Sequence, residues 1–289
     1  MSTSTASVVA RPRLRGGQLA SLGIFELVLL GYAAIVVYPL LVMLASSLKS
    51  TGEIFQDPLA LVPPSLRLSN YAQAWDQAHF GTYFQNSLLV GVVSVIFILL
   101  FGSMAAYVLA RYPFPGNQLV YLLFLLGFMV PIRLAIVPLF ILMRDLHLLD
   151  SLVGLVVVYV AGGMPFTIFI LVNFFRRIPR DLEEAARIDG AGTFGIYWRI
   201  MLPLVRPALA TVAIFEFLHV WNDFFFPLIF IGSPSLRTIP LGMSAFFGEY
   251  ANNWGLLFAG LSISIVPVLV LFLLMSRQFI AGLTAGAIR

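Results

Sequence analysis

The chain contains no cysteine. Thiolate metal ligation, disulfide bonds and cysteine nucleophiles are therefore excluded, and cysteine usage says nothing about the redox compartment. Charge is scarce too: 10% of the 289 residues are Asp, Glu, Lys or Arg, where a soluble domain carries about a quarter. The three histidines, His79, His147 and His219, are too scattered for a recognisable metal site. No G-x-x-x-x-G-K-[ST] phosphate loop occurs, so the chain binds no ATP by that device. A nucleophile elbow and paired catalytic carboxylates are missing as well. No catalytic residue or metal ligand is assigned, and the chain is not read as an enzyme.

What is present is oil. Hydrophobic residues make up 60% of the sequence, and the mean hydropathy is +0.98. A helix needs about 20 apolar residues to cross the hydrocarbon core of a bilayer. Six runs qualify: 23–48, 84–110, 118–143, 151–175, 208–231 and 255–276. The fold class expected is all-α, a polytopic membrane protein of six transmembrane helices. The Ser/Thr-rich, basic stretch 1–22 reads as a tail, and the run after it is longer than the 7–15 residues of a signal-peptide core. Residues 23–276 read as one membrane domain and 277–289 as a C-terminal tail.

Arginine placement sets the orientation. Under six spans, Arg11, Arg13, Arg15, Arg111, the group from Arg176 to Arg206, Arg277 and Arg289 fall on one side. Lys49, Arg67, Arg144 and Arg237 fall on the other. The positive-inside rule makes the crowded side cytoplasmic, with both termini inside. The net charge of +4 lies between apolar runs and forms no basic face, so nucleic acid is not a partner.

The polar stretch 176–207 lies between the fourth and fifth spans on that inner side. Pro179 stops the preceding helix. Asp181 is placed to cap a new one, with Glu184 reaching back as in a capping box. Glu183 and Glu184 suit the positive end of the helix dipole. Gly190 is placed to end the helix in the left-handed conformation. Leu182, Ala185, Ala186 and Ile188 make a small, smooth apolar surface that allows close approach of another backbone. Thr193 is placed to cap a second short helix bearing Phe194, Tyr197, Trp198 and Met201, and Pro203 and Pro207 interrupt the chain before the fifth span. The pattern alone equally describes an amphipathic helix lying on the membrane.

The order Glu184-Ala185-Ala186, three residues, Gly190, nine residues, Ile200, one residue, Leu202-Pro203 resembles the signature of permease subunits of binding-protein-dependent ABC importers. Further stretches, "MVPIRLAIVPLF", "VWNDFFFPLI" and "GLTAGAIR", are similar to the carbohydrate-uptake branch of that family. The resemblance covers most of residues 83–289. It implies a type I importer fold in which 181–203 is a coupling segment seated in a separate ATPase. It also implies a second permease, a dimer of ABC ATPase subunits carrying the ATP, an external solute-binding protein and a carbohydrate substrate. The location implied is a bacterial or archaeal cytoplasmic membrane.

Within the spans, charge is costly unless paired or facing water. Glu26 lies near an interface and is discounted. Glu216, His219 and Asp223 share one helical face by spacing, with Asn222 beside it. Arg133 lies at a depth that lets it meet Asp223 or Glu216. Two readings stand: a polar lining for a hydroxylated solute, or a structural ion pair between helices. The aromatics Trp221, Phe224, Phe225 and Phe226 read mainly as packing. Pro131 and Pro138 flank Arg133 and weaken the third span, as a hinge or a packed kink. An ion-coupled secondary transporter using Glu216 and Asp223 is the alternative from another class.

Overall fold

The structure, a computed structural model, describes residues 16–76, 79–249 and 253–287. Among them every regular element is a helix. In chain order they are α1 (Gly16–Ser46), α2 (Thr51–Gln56), α3 (Ser69–Asp76), α4 (Phe80–Arg111), α5 (Asn117–Met129), α6 (Ile136–Asp145) and α7 (Leu152–Arg177). Then follow α8 (Asp181–Ile188), α9 (Thr193–Ile196), α10 (Leu202–Leu204), α11 (Arg206–Asn222), α12 (Phe225–Phe230), α13 (Ile239–Glu249) and α14 (Trp254–Ala287). The tail expected over 1–22 lies outside the described residues as far as 15, and the chain is helical from Gly16. At the other end the α14 backbone runs on past the expected limit of 276 to Ala287.

Four helical stretches are long and apolar enough to cross a bilayer: Gly23–Ser46, Phe80–Arg111, Leu152–Arg177 and Trp254–Leu274. Counting bent pairs raises the number to 6. The third expected span is one such pair, bent by 85° between α5 and the stretch Ile132–Asp145. Pro131 causes the break: it has no N–H to give, and its ring pushes Val130 out of the helical region, to ψ 118. Pro138 breaks nothing. It sits in the first turn of α6, where the missing N–H would have had no partner inside the helix.

The fifth expected span is not one helix either. α11 stops at Asn222, Asp223 is extended at ψ 125, and α12 begins two residues later. Pro227, four residues beyond Asp223, cannot bond back to the Asp223 carbonyl and crowds it. A second bend, of 76°, separates the stretch Thr193–Leu204 from α11.

The packed body is built on α4 and α7, with α11 against both and α14 against α11. Small residues let the backbones close in, as helices in lipid require. A methyl group at Gly102 would collide with Thr167 Cγ2, and one at Gly163 would come within 2.7 Å of Glu216 Oε2. α1 lies at the edge of this body, against α14. None of its most apolar stretch is buried, and its anchor is the buried turn Ala45–Ser47 with Lys49.

The two long connections are more ordered than their turn signals imply. α2 and α3 pack on α14, and α13 packs on α4. Lys49, placed above among the charges of the arginine-poor side, is 1% exposed and donates through Nζ to the carbonyls of Ala60 at 2.6 Å and Asp57 at 3.3 Å. At the tight turn before α7, Asp150 accepts from the N–H groups of Gly232 (3.0 Å) and Ser233 (2.8 Å) and from the Ser233 hydroxyl. The Ser233 hydroxyl, then the two backbone N–H groups, hold the Asp150 carboxyl below its ordinary range.

Candidate functional site

The polar segment does not lie free on the membrane. Its inward side belongs to a buried cluster that joins Tyr107 of α4, Leu171 and Phe175 of α7, Ala186 of α8, Ile196, Tyr197 and Met201. α8 turns one face to that cluster and the other outward. Glu183 and Ala186 are buried, whereas Leu182, Glu184, Ala185 and Ile188 are exposed, Ile188 by 87%. The two alanines therefore serve different faces, which corrects their joint assignment to a contact surface. They are neighbours in sequence and about 100° apart around the helix.

Gly190 ends α8 as expected, at φ 83. Its N–H bonds to the Arg187 carbonyl at 3.0 Å and that of Ala191 to Ala186 at 2.9 Å, the Schellman pattern. The start of the helix differs from expectation. Arg180 is already helical and occupies the cap position without a side-chain bond, so Asp181 lies inside the first turn and Glu184 is one place too late to reach back. No capping box forms. Thr193 likewise opens α9 from within, with Gly192 at the cap.

Glu183 is the carboxylate that the fold uses. Arg111, the last residue of α4, places Nε 2.7 Å from Glu183 Oε1, with both side chains under a tenth exposed. This contact is an ion pair whose N–H is not aligned for a hydrogen bond. Arg111 also donates through Nη2 to the Ile178 carbonyl at 2.6 Å. The Tyr107 hydroxyl donates to Glu183 Oε2 at 3.1 Å, and Arg187 stands 4.0 Å from the same oxygen. The Glu184 side chain, by contrast, has no hydrogen-bond or ion-pair partner among the described residues. Sequence reasoning passed over Glu183 and Arg111 as a dipole charge and a topology marker. The available signal was a single arginine ending a span between Tyr107 and Tyr112.

After α9 the chain widens into a π-helical turn, Tyr197–Met201. Tyr197 and Met201 are buried, whereas Phe194 and Trp198 are exposed. Ile200 and Leu202 pack partly buried against the same inner cluster, and Pro203 opens α10 in its first turn. These three signature residues shape the return into α11 and offer no outward charge.

Within the membrane, Asp223 gathers three donors. Tyr159 Oη donates to Oδ2 at 2.9 Å, the Phe226 N–H to Oδ2 at 3.0 Å, and Arg133 Nη2 to Oδ1 at 3.3 Å. The Arg133 guanidinium also lies 5.3 Å above the Phe225 ring. Of the two partners considered, Arg133 takes Asp223 and not Glu216. Glu216 is 5% exposed and has no ion-pair or hydrogen-bond partner among the described residues. With exposed His219 it lines a cavity of about 290 Å³, walled also by Phe128, Gly162, Phe166 and Phe215. Asn222 is exposed and bonds back to the Leu218 carbonyl at 2.9 Å. Asp223, at the C-cap of α11, does not line that cavity. Trp221 and Phe226 are buried packing residues, and Phe224 is exposed.

Residues 98–279 match the model of the binding-protein-dependent transport system inner membrane component family. The diacetylchitobiose uptake system permease protein NgcG of Streptomyces coelicolor is 43% identical over 260 residues, covering 89% of this chain and 86% of that protein. The melibiose/raffinose/stachyose import permease protein MelC of Bacillus subtilis is 33% identical over 277 residues, covering 96% and 100%. A crystal structure of a bacterial ABC transporter involved in import of the acidic polysaccharide alginate contains a chain that superposes with a TM-score of 0.75. It is 26% identical, with 93% of this chain and 100% of that chain covered. A second alginate ABC transporter structure, in complex with a pentasaccharide-bound periplasmic protein, matches in fold at a TM-score of 0.64 and 14% identity. With its inner segment docked by Glu183 and its signature residues in place, the chain belongs to the family of binding-protein-dependent transport system inner membrane components.

Proposed function

We propose that this chain is one transmembrane half of an ATP-driven carbohydrate importer, coupled through residues 181–203 to an ATPase carried on another polypeptide. The observation that carries the reading is the two-faced α8. Its inner face is locked to α4 and α7, while Leu182, Glu184, Ala185 and Ile188 are presented outward, with no side-chain partner among the described residues. A partly apolar face bearing the exposed carboxylates of Asp181 and Glu184 and ending in a tight Schellman turn is a shape that a second protein can grip.

The carbohydrate class follows from the relatives, whose names specify di- and oligosaccharides. A related permease forms the other half of the path, and a dimer of ABC ATPases sits beneath, one coupling segment each. An external solute-binding protein docks on the face carrying α2, α3 and α13, with both termini on the opposite, cytoplasmic side. ATP-driven approach of the ATPases rocks the helical halves and opens the path outward. Glu216, His219 and Asn222 form the polar part of that path, with the Arg133–Asp223 pair supporting its wall. The relatives and structural neighbours favour this reading over an ion-coupled carrier, and three donors already engage Asp223.

The experiment is co-purification and uptake with Glu184→Lys and Gly190→Pro. Both variants are expected to reach the membrane, lose the ATPase and stop transporting. Normal uptake in both removes the coupling role.

A further inference from the structure

One guanidinium closes the inner end of the helical body. Arg111 ends α4 and, at 5% side-chain exposure, contacts Glu183 of α8 at 2.7 Å and the carbonyl of Ile178 at 2.6 Å. Ile178 is the residue at which α7 stops, and only Ile178, Pro179 and Arg180 separate α7 from α8. The same side chain thus holds the end of one membrane helix, the linker leaving another and the surface helix itself. Tyr107 adds a bond from the preceding turn of α4, and Arg187 links back to the Tyr112 hydroxyl at 3.4 Å.

We infer that Arg111 and Glu183 are positioning residues that make α8 move as one body with α4 and α7. The inference rests on the reading of 181–203 as the ATPase dock and adds the route by which motion leaves it. A three-residue linker transmits tension along the chain but resists sideways rocking poorly. The buried ion pair resists that motion, because separating it strands a charge out of water. Glu184, one residue on and exposed, meets the partner; Glu183 carries the displacement inward. With the pair broken, the ATPase stays bound and turns over while α8 slips against α4.

The test uses the whole complex, with its ATPase and binding protein, in proteoliposomes, and reads ATP hydrolysed per sugar transported. Glu183→Gln keeps the side-chain shape and is expected to raise that ratio by about tenfold, within the usual range of coupling between sites, with the ATPase still co-purifying. Because the chain has no cysteine, Arg111→Cys combined with Glu183→Cys provides a reversible second variant. A bis-methanethiosulfonate linker joining the two thiols is expected to restore the wild-type ratio, and reduction of the linker to raise it again in the same sample.

A ratio that stays at the wild-type value in Glu183→Gln, or ignores opening and closing of the linker, overturns the inference. Failure of both variants to assemble also overturns it, since the pair is then only a requirement of folding. Glu184→Lys separates this from failure of the docking reading. If Glu184→Lys keeps both ATPase and uptake, the dock itself is wrong. If it releases the ATPase while Glu183→Gln keeps the normal ratio, only the route is wrong.

Discussion

Arg133 and Asp223 stand 3.3 Å apart across the breaks of two membrane spans, yet the ends of this bridge are unlike: the arginine side chain is 60% exposed and the aspartate 1%. The carboxylate also holds Tyr159 and the first turn of α12, so the aspartate organises the site and the arginine joins it. Simple charge reversal of both residues is for that reason a poor rescue, since an arginine at 223 accepts nothing from Tyr159 or the Phe226 N–H.

Asp223→Ala is expected to destabilise the protein in detergent by about 1–3 kcal/mol for each buried donor left unsatisfied. Arg133→Gln keeps a donor at the exposed end and leaves Tyr159 and the Phe226 N–H on the carboxylate, so it is expected to cost less than Asp223→Ala. Thermal unfolding of the two variants side by side checks this. Equal losses contradict the assignment of Asp223 as the organising group.

Gly102 permits the approach of α4 to α7. Gly102→Ala forces a methyl group against Thr167 Cγ2 and is expected to cost about 1–3 kcal/mol through overpacking. Thr167→Ser removes the opposing methyl group, so the double variant should recover at least half of the loss. No recovery in thermal unfolding places the strain elsewhere.

The faces of α8 are separable by substitution. Ala186, 7% exposed in the inner cluster, has no room for a larger side chain, and Ala186→Leu is expected to lower thermal stability by about 1–3 kcal/mol. Ile188, 87% exposed, tolerates Ile188→Asp within about 0.5 kcal/mol, while uptake is expected to fall through loss of the ATPase. Co-purification and melting measured together distinguish the two. A variant pair with the pattern reversed contradicts the orientation of α8.

Asp150 ties the turn before α7 to the loop after α12 through Ser233 and Gly232. These bonds lower its folded pKa from the ordinary 3.8, so its contribution is present above that value and is lost as acidification passes the folded one. Asp150→Asn is expected to raise amide exchange at Gly232 and Ser233 near neutral pH, with the difference from wild type shrinking below pH 3.8. A difference that persists in acid assigns the effect to shape and not to charge.

Much of the fold was legible because backbone rules act on neighbours. Pro131 breaks the third span wherever that span packs, since the missing N–H and the ring are its own. Gly190 ends α8 because the left-handed turn favours a residue without a side chain. The apolar runs reported membrane helices by length alone. Pro227 carried an equally local signal for the break at Asp223, left unused because the run around it is so apolar.

Only the tertiary structure decided which carboxylate is buried. Asp181, Glu183 and Glu184 all sit in the first turn of α8, and one helix dipole serves them alike. Rotation of α8 about its own axis sends Glu183 to Arg111 and Glu184 to solvent, and packing against helices far off in sequence sets that rotation. The Tyr107–Glu183 bond spans 76 positions and the Arg133–Asp223 bond spans 90. Composition and local propensity determined that this chain crosses a membrane and carries a short polar helix, closed by Gly190, between its fourth and fifth apolar runs. Which side of that helix faces the body was left to distant side chains, because a buried charge is tolerated only where another element brings its partner within reach.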